Sequence, residues 1–70
     1  MFYDLKSIGI TQAQKAIDKG ATLSKINGGF YSGGACFNHV LDTPRTRYRV
    51  SDWVFKSLKT PEGLVIKTIG

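Results

Sequence analysis

The stretch Ala21-Thr22-Leu23-Ser24-Lys25-Ile26-Asn27-Gly28-Gly29-Phe30-Tyr31-Ser32 decides the fold. Asn27-Gly28 is the favoured pair for a two-residue type I′ turn, because both positions tolerate positive φ. A hairpin centred there pairs Ile26 with Gly29, Lys25 with Phe30 and Ser24 with Tyr31. Leu23 and Phe30 then share one face, Ile26 and Tyr31 the other. Neither face is cleanly polar, so the register is weakly specified. The competing reading is a helix-turn-helix, with Ala16, Gly20 and Ile26 at the offsets that want a small residue, a turn glycine and a buried aliphatic. Against it, Lys19 stands where an apolar residue belongs. Gly28-Gly29 would also cut the second helix to about seven residues, at roughly 1 kcal/mol per glycine. The hairpin is the preferred reading.

On the N-terminal side, Thr11 and Gln14 have the spacing of a capping box, and Ala13, Ala16 and Ile17 recur at helical intervals. Lys19 lies in the last turn and Gly20 suits a left-handed C-cap, which places a helix at about 11–19. On the C-terminal side, residues 32–44 begin with Gly33-Gly34 and have no clear period; they read as a loop, long for so small a chain. Arg45-Thr46-Arg47-Tyr48-Arg49-Val50 alternates strictly and reads as a strand. Ser51-Asp52 caps a second helix from Trp53 to about Lys59, with Val54 and Leu58 as an i, i+4 apolar pair. Thr60-Pro61-Glu62-Gly63 is a turn, and Leu64 to Ile69 reads as a closing strand. The expected order is helix, hairpin, loop, strand, helix, strand: an α+β domain with helices on a small antiparallel sheet.

Ala16-Ile17, Gly20-Ala21-Thr22-Leu23, Gly28-Gly29-Phe30-Tyr31, Tyr48-Arg49-Val50 leading into Val54 and Leu58, and Gly63-Leu64-Val65 together resemble a kind of small bacteriophage and prophage protein that looks like a reduced winged helix. The resemblance spans about residues 13–66. It implies a compact winged-helix-like fold and a phage origin; many such proteins have no assigned activity. The elaborated stretch 32–44 departs from the pattern, so nothing about it is carried over.

Seventy residues suffice for one domain, spanning 1–70, and a chain of this size buries only about 60% of its unfolded surface. Hydrophobic residues make up 41% and charged residues 21%, a globular balance. A single cysteine excludes an internal disulfide and favours a reducing compartment. No apolar run approaches the roughly 18 residues of a membrane span, and Met1 to Lys6 lacks the layout of a secretory signal. The expectation is a protein of the cytoplasm, the host cell's if phage-encoded, with no membrane contact.

Ten Lys and Arg against five Asp and Glu give a net charge of +5. The excess is uneven: residues 43–59 hold five of the cations against Asp52 alone, a local +4. Arg45, Arg47 and Arg49 on a strand would project to one face at intervals of about 6.6 Å, a pitch that suits a phosphate backbone. Lys56 and Lys59 would extend the patch, and Lys25 on the hairpin would act as a wing contact. The same pattern also serves as a solvated strand face guarded against edge pairing, or as a match for an acidic protein surface. Phe30, Tyr31, Tyr48 and Trp53 interleave with these charges and would stack on unpaired bases if exposed. In so small a chain Trp53 and Phe30 are expected in the core.

Other chemistry is thinly represented. Cys36 and His39 form a C-x-x-H pair, with Asp42 as a third potential ligand, too few for a structural zinc site. Gly28-Gly29 and Gly33-Gly34 lack the Gly-Lys-Ser/Thr of a phosphate loop. Asp4, Asp18, Asp42, Asp52 and Glu62 stand singly, which gives no local basis for acid–base catalysis. The expectation is a non-enzymatic protein with no metal and no cofactor that binds nucleic acid, DNA foremost, through phosphate contacts. The alternative is a phage-encoded inhibitor or adaptor that binds a host polymerase, nuclease or defence component. A third reading is a structural virion component. A homodimer would add burial to a small core and cover free sheet edges.

Overall fold

In the computed structural model, which describes residues 2–70, the chain forms two helices and a five-stranded mixed sheet. After a 3-10 turn at Phe2–Asp4 come β1 (Lys6–Ser7), α1 (Ile10–Asp18), β2 (Thr22–Ser32), β3 (Ala35–Asp42), β4 (Arg47–Ser51), α2 (Asp52–Ser57) and β5 (Lys67–Ile69). The strand order is β1-β4-β3-β2-β5. The three middle strands form an antiparallel meander, while β1 runs parallel to β4 and β5 parallel to β2. The α+β class holds, but the sheet is not purely antiparallel. The two parallel pairings join segments far apart in sequence, which no hairpin signal reveals.

Helix α1 starts one residue before the expected Thr11. Gly9 is its N-cap, in extended geometry and without a side-chain bond. Gln14 closes no capping box. Its Nε2 donates to the Lys59 carbonyl at 2.9 Å, and its Oε1 accepts from the Lys59 amide at 2.8 Å. At the other end Gly20 takes φ 94°, Gly20 N–H donates to the Ile17 carbonyl and Ala21 N–H to the Ala16 carbonyl. This is the paired bonding of a Schellman motif, as the glycine implied.

Neither reading of residues 21–32 survives. No helix forms there and no turn lies at Asn27-Gly28: Thr22–Ser32 is a single strand. The register against β3 steps from Lys25↔His39 to Phe30↔Phe37, leaving Ile26–Gly29 as an irregular bulge. Gly28 and Gly29 do adopt positive φ, 80° and 60°, but they serve this bulge. The hairpin turn is six residues further on. Gly33-Gly34, with φ 57° and 81°, sits between the paired Ser32 and Ala35, and positive φ at both central positions is what a type I′ turn requires.

The expected loop 32–44 is therefore mostly β3, the central strand. Phe37, His39, Val40 and Leu41 are all buried. A strand covered on both faces has no polar alternation to betray it. A tight turn follows: Thr43 N–H and Oγ1–H both donate to the Thr46 carbonyl, and Thr46 N–H donates to Thr43 Oγ1. Strand β4 accordingly begins at Arg47, not Arg45. The closing strand is likewise trimmed to Lys67–Ile69.

Register places Leu23, Leu41 and Tyr48 on one face of the sheet with Lys25, His39 and Val50. Both helices pack there: Ala13 and Ile17 of α1, then Val54 and Leu58 around α2, join Ile8, Leu23, Leu41 and Val50 in one buried cluster. On the opposite face Val40 and Phe37 are buried and Phe37 stacks on Phe30 at 5.4 Å; Ile26 is buried as well. Among the described residues no helix is long and apolar enough to cross a membrane.

Candidate functional site

The three arginines do not form a ladder. Arg47 and Arg49 share the helix-free face of the sheet, since their partners across β3 are Asp42 and Val40. Arg47 Nε lies 3.5 Å from Asp42 Oδ2, an exposed ion pair. Arg49 is half-buried: its guanidinium lies 4.5 Å from the Phe37 ring centroid and its Nη1 is 3.5 Å from Ser32 Oγ. Arg45 precedes the strand, exposed in the β3–β4 turn, and lies with α1 residues rather than with Arg47 and Arg49.

The other expected contacts are dispersed. Lys56 Nζ is 3.1 Å from Asp52 Oδ2, one helical turn away. Lys59 is exposed just after α2, its backbone held by Gln14. Lys25 lies on the helix-bearing face of β2, paired with His39, and so is not at the tip of a wing.

What the fold does bring together is a different set of cations. A groove of about 870 Å³ runs between α1 and the β3–β4 turn, with Lys15, Lys19 and Arg45 on its walls and Thr43 and Tyr48 beside them. The single acid among the described lining residues, Asp42, is the partner of Arg47. Lys15 and Lys19 stand one helical turn apart, so they project from the same side of α1. That spacing was visible in the sequence. Their proximity to Arg45 was not, because it depends on the Thr43–Thr46 turn swinging Arg45 off the strand and toward the helix.

The aromatic residues also redistribute. Trp53, expected in the core, is 60% exposed, and Tyr31 is 72% exposed. Tyr48 is half-buried against the core and Phe30 is half-buried against Phe37. Trp53 falls outside the core because Val54 and Leu58 already direct α2 inward, leaving position 53 on the open side.

His39 is buried, stacked on Phe55 with ring centroids 3.7 Å apart, and its Nδ1 has no hydrogen-bond partner. Burial pushes its pKa down, Lys25 adds to that, and Asp52 opposes it. The imidazole is therefore held neutral at pH 7, as a packing element. Cys36 Sγ lies 3.7 Å from Asn38 Oδ1. Among the described residues no group of three or more His, Cys, Asp or Glu side chains gathers to hold a metal ion.

Comparison with known protein families, with curated proteins and with solved structures finds no match. The groove and the surfaces around it are the basis for a functional reading.

Proposed function

We propose that the protein binds nucleic acid, DNA foremost, by holding backbone phosphates in the groove between α1 and the β3–β4 turn. The convergence of Lys15, Lys19 and Arg45 on one concave surface carries this reading. Three cations against the one acid, gathered on a concave surface, attract a polyanion more strongly than the same charges scattered over a convex one. The neighbouring Thr43 and the lysine ammonium groups are donors of the kind that contact phosphate oxygens, which gives affinity and register with little sequence preference. Arg47 and Lys56 contribute less, since each shares its charge with an aspartate. The reading takes nothing from the winged-helix resemblance; it rests on the groove alone.

Fluorescence anisotropy of a labelled oligonucleotide at several salt concentrations tests it. Contact with three phosphates predicts a log–log salt slope of about −2 to −3. Replacing Lys15, Lys19 and Arg45 with Ala should flatten that slope and weaken binding by more than tenfold. Absence of binding to DNA and RNA of either strandedness at about 50 mM salt, where such contacts are strong, overturns the reading and turns the groove toward an acidic protein partner.

A further inference from the structure

A second hollow, of about 390 Å³, opens between the β1–α1 junction, the end of the β2–β3 hairpin and the start of α2. Trp53 forms one wall, Ser7, Ser32, Ser51 and Arg49 are its polar lining, and the remaining surface is apolar or glycine. Tryptophan offers a large flat apolar surface that ordinarily finds a packing partner; here, at 60% exposure, most of it has none. Arg49 is held in place from below by the Phe37 ring and from the side by Ser32, and Phe37 is itself buried and stacked on Phe30. The positive charge in the hollow therefore sits on a packed support. Ser7 pairs with Arg49 across the β1–β4 ladder, so its position is set by the sheet as well.

We propose that this hollow takes one unpaired nucleobase, its ring stacked on Trp53 and its acceptor-bearing edge turned toward Arg49 and the serine hydroxyls. The volume falls in the range of pockets that hold small planar ligands. Every base presents a π-face, and every base carries ring-nitrogen or carbonyl acceptors that suit hydroxyl and guanidinium donors. Bases inside a duplex cannot reach such a hollow. The inference rests on the nucleic-acid reading and adds to it a preference for single strands.

Trp53 is the sole tryptophan of the chain, so intrinsic fluorescence reports on the hollow directly. The experiment titrates the full chain with a labelled single-stranded oligodeoxynucleotide and, separately, with the duplex of the same sequence, following anisotropy and tryptophan emission together. The expected result is quenching by the single strand and binding of the duplex without quenching. Trp53→Ala should weaken single-strand binding by about tenfold or more, the usual effect of removing one stacking platform. It should leave duplex affinity unchanged, and Trp53→Phe should restore part of the loss. Because the side chain is mostly exposed, neither variant disturbs the core. Single-strand binding without quenching, unchanged in Trp53→Ala, overturns the hollow and leaves the groove standing. Failure of both strands to bind overturns the hollow and the groove reading together.

Discussion

Gly29 occupies a position no other residue fills. Its φ is 60°, and a Cβ there would collide with Asn38 Oδ1 and crowd the Phe37 carbonyl oxygen at 3.1 Å. Gly29→Ala is expected to destabilise the protein by about 2 kcal/mol, combining left-handed strain with displacement of Asn38; urea denaturation checks it. Gly28, also at positive φ but with open space around it, should tolerate Asn far better. His39 makes a different kind of demand. Its folded pKa lies below the ordinary 6.5, so the unfolded chain takes up the proton more readily. The part of the stability that depends on His39 is complete above about pH 6.5 and declines as pH falls from there through the folded value. Denaturant midpoints at about pH 7.5 and 5.5 should differ in the parent and converge in His39→Phe, which keeps the stack on Phe55 and removes the titration. Equal sensitivity in both proteins would show that another group is responsible.

Among the elements, those that follow local rules were readable from sequence. The end of α1 was written in Gly20 and the core face of β4 in Tyr48 and Val50; Ser51 does stand at the N-cap of α2, but it makes no side-chain cap bond, and the helix ends at Ser57 rather than near Lys59. Residues 35–42 were opaque because β3 is covered on both sides, and Asn38 and His39 interrupt what apolar run it has. The Asn27-Gly28 signal misled because the same positive φ serves a bulge as well as a turn. Arg45, Arg47 and Arg49 looked like one set by alternation, but the Thr43–Thr46 turn separates the first from the other two. The tie between α1 and the segment after α2 could not be foreseen at all, since Gln14 and Lys59 are 45 positions apart. Each of its two hydrogen bonds is worth about 0.5–1.5 kcal/mol, so Gln14→Ala should cost roughly 1–2 kcal/mol in thermal or chemical unfolding. Gln14→Glu, which accepts from the Lys59 amide but cannot donate to its carbonyl, should fall between.

For the molecule as a whole, the radius of gyration of 11.0 Å matches the roughly 11 Å expected of a compact chain this long. Total stability for such a chain is about 4–10 kcal/mol, so one core truncation consumes a large part of it. Leu41, fully buried between Leu23 and Tyr48, illustrates the point. Leu41→Ala should cost about 2–5 kcal/mol and leave a measurable unfolded fraction by circular dichroism at 37 °C. The arrangement of the sheet also fixes an order of events. Its three middle strands follow one another closely in the chain, whereas β1 and β5 are brief edge segments recruited from near the two ends. Loop closure favours contacts between near neighbours, so the meander should assemble first and the edges dock last. In native-state hydrogen exchange, amides of Lys6–Ser7 and Lys67–Ile69 should then open without global unfolding, while those of β3 exchange only when the whole molecule opens.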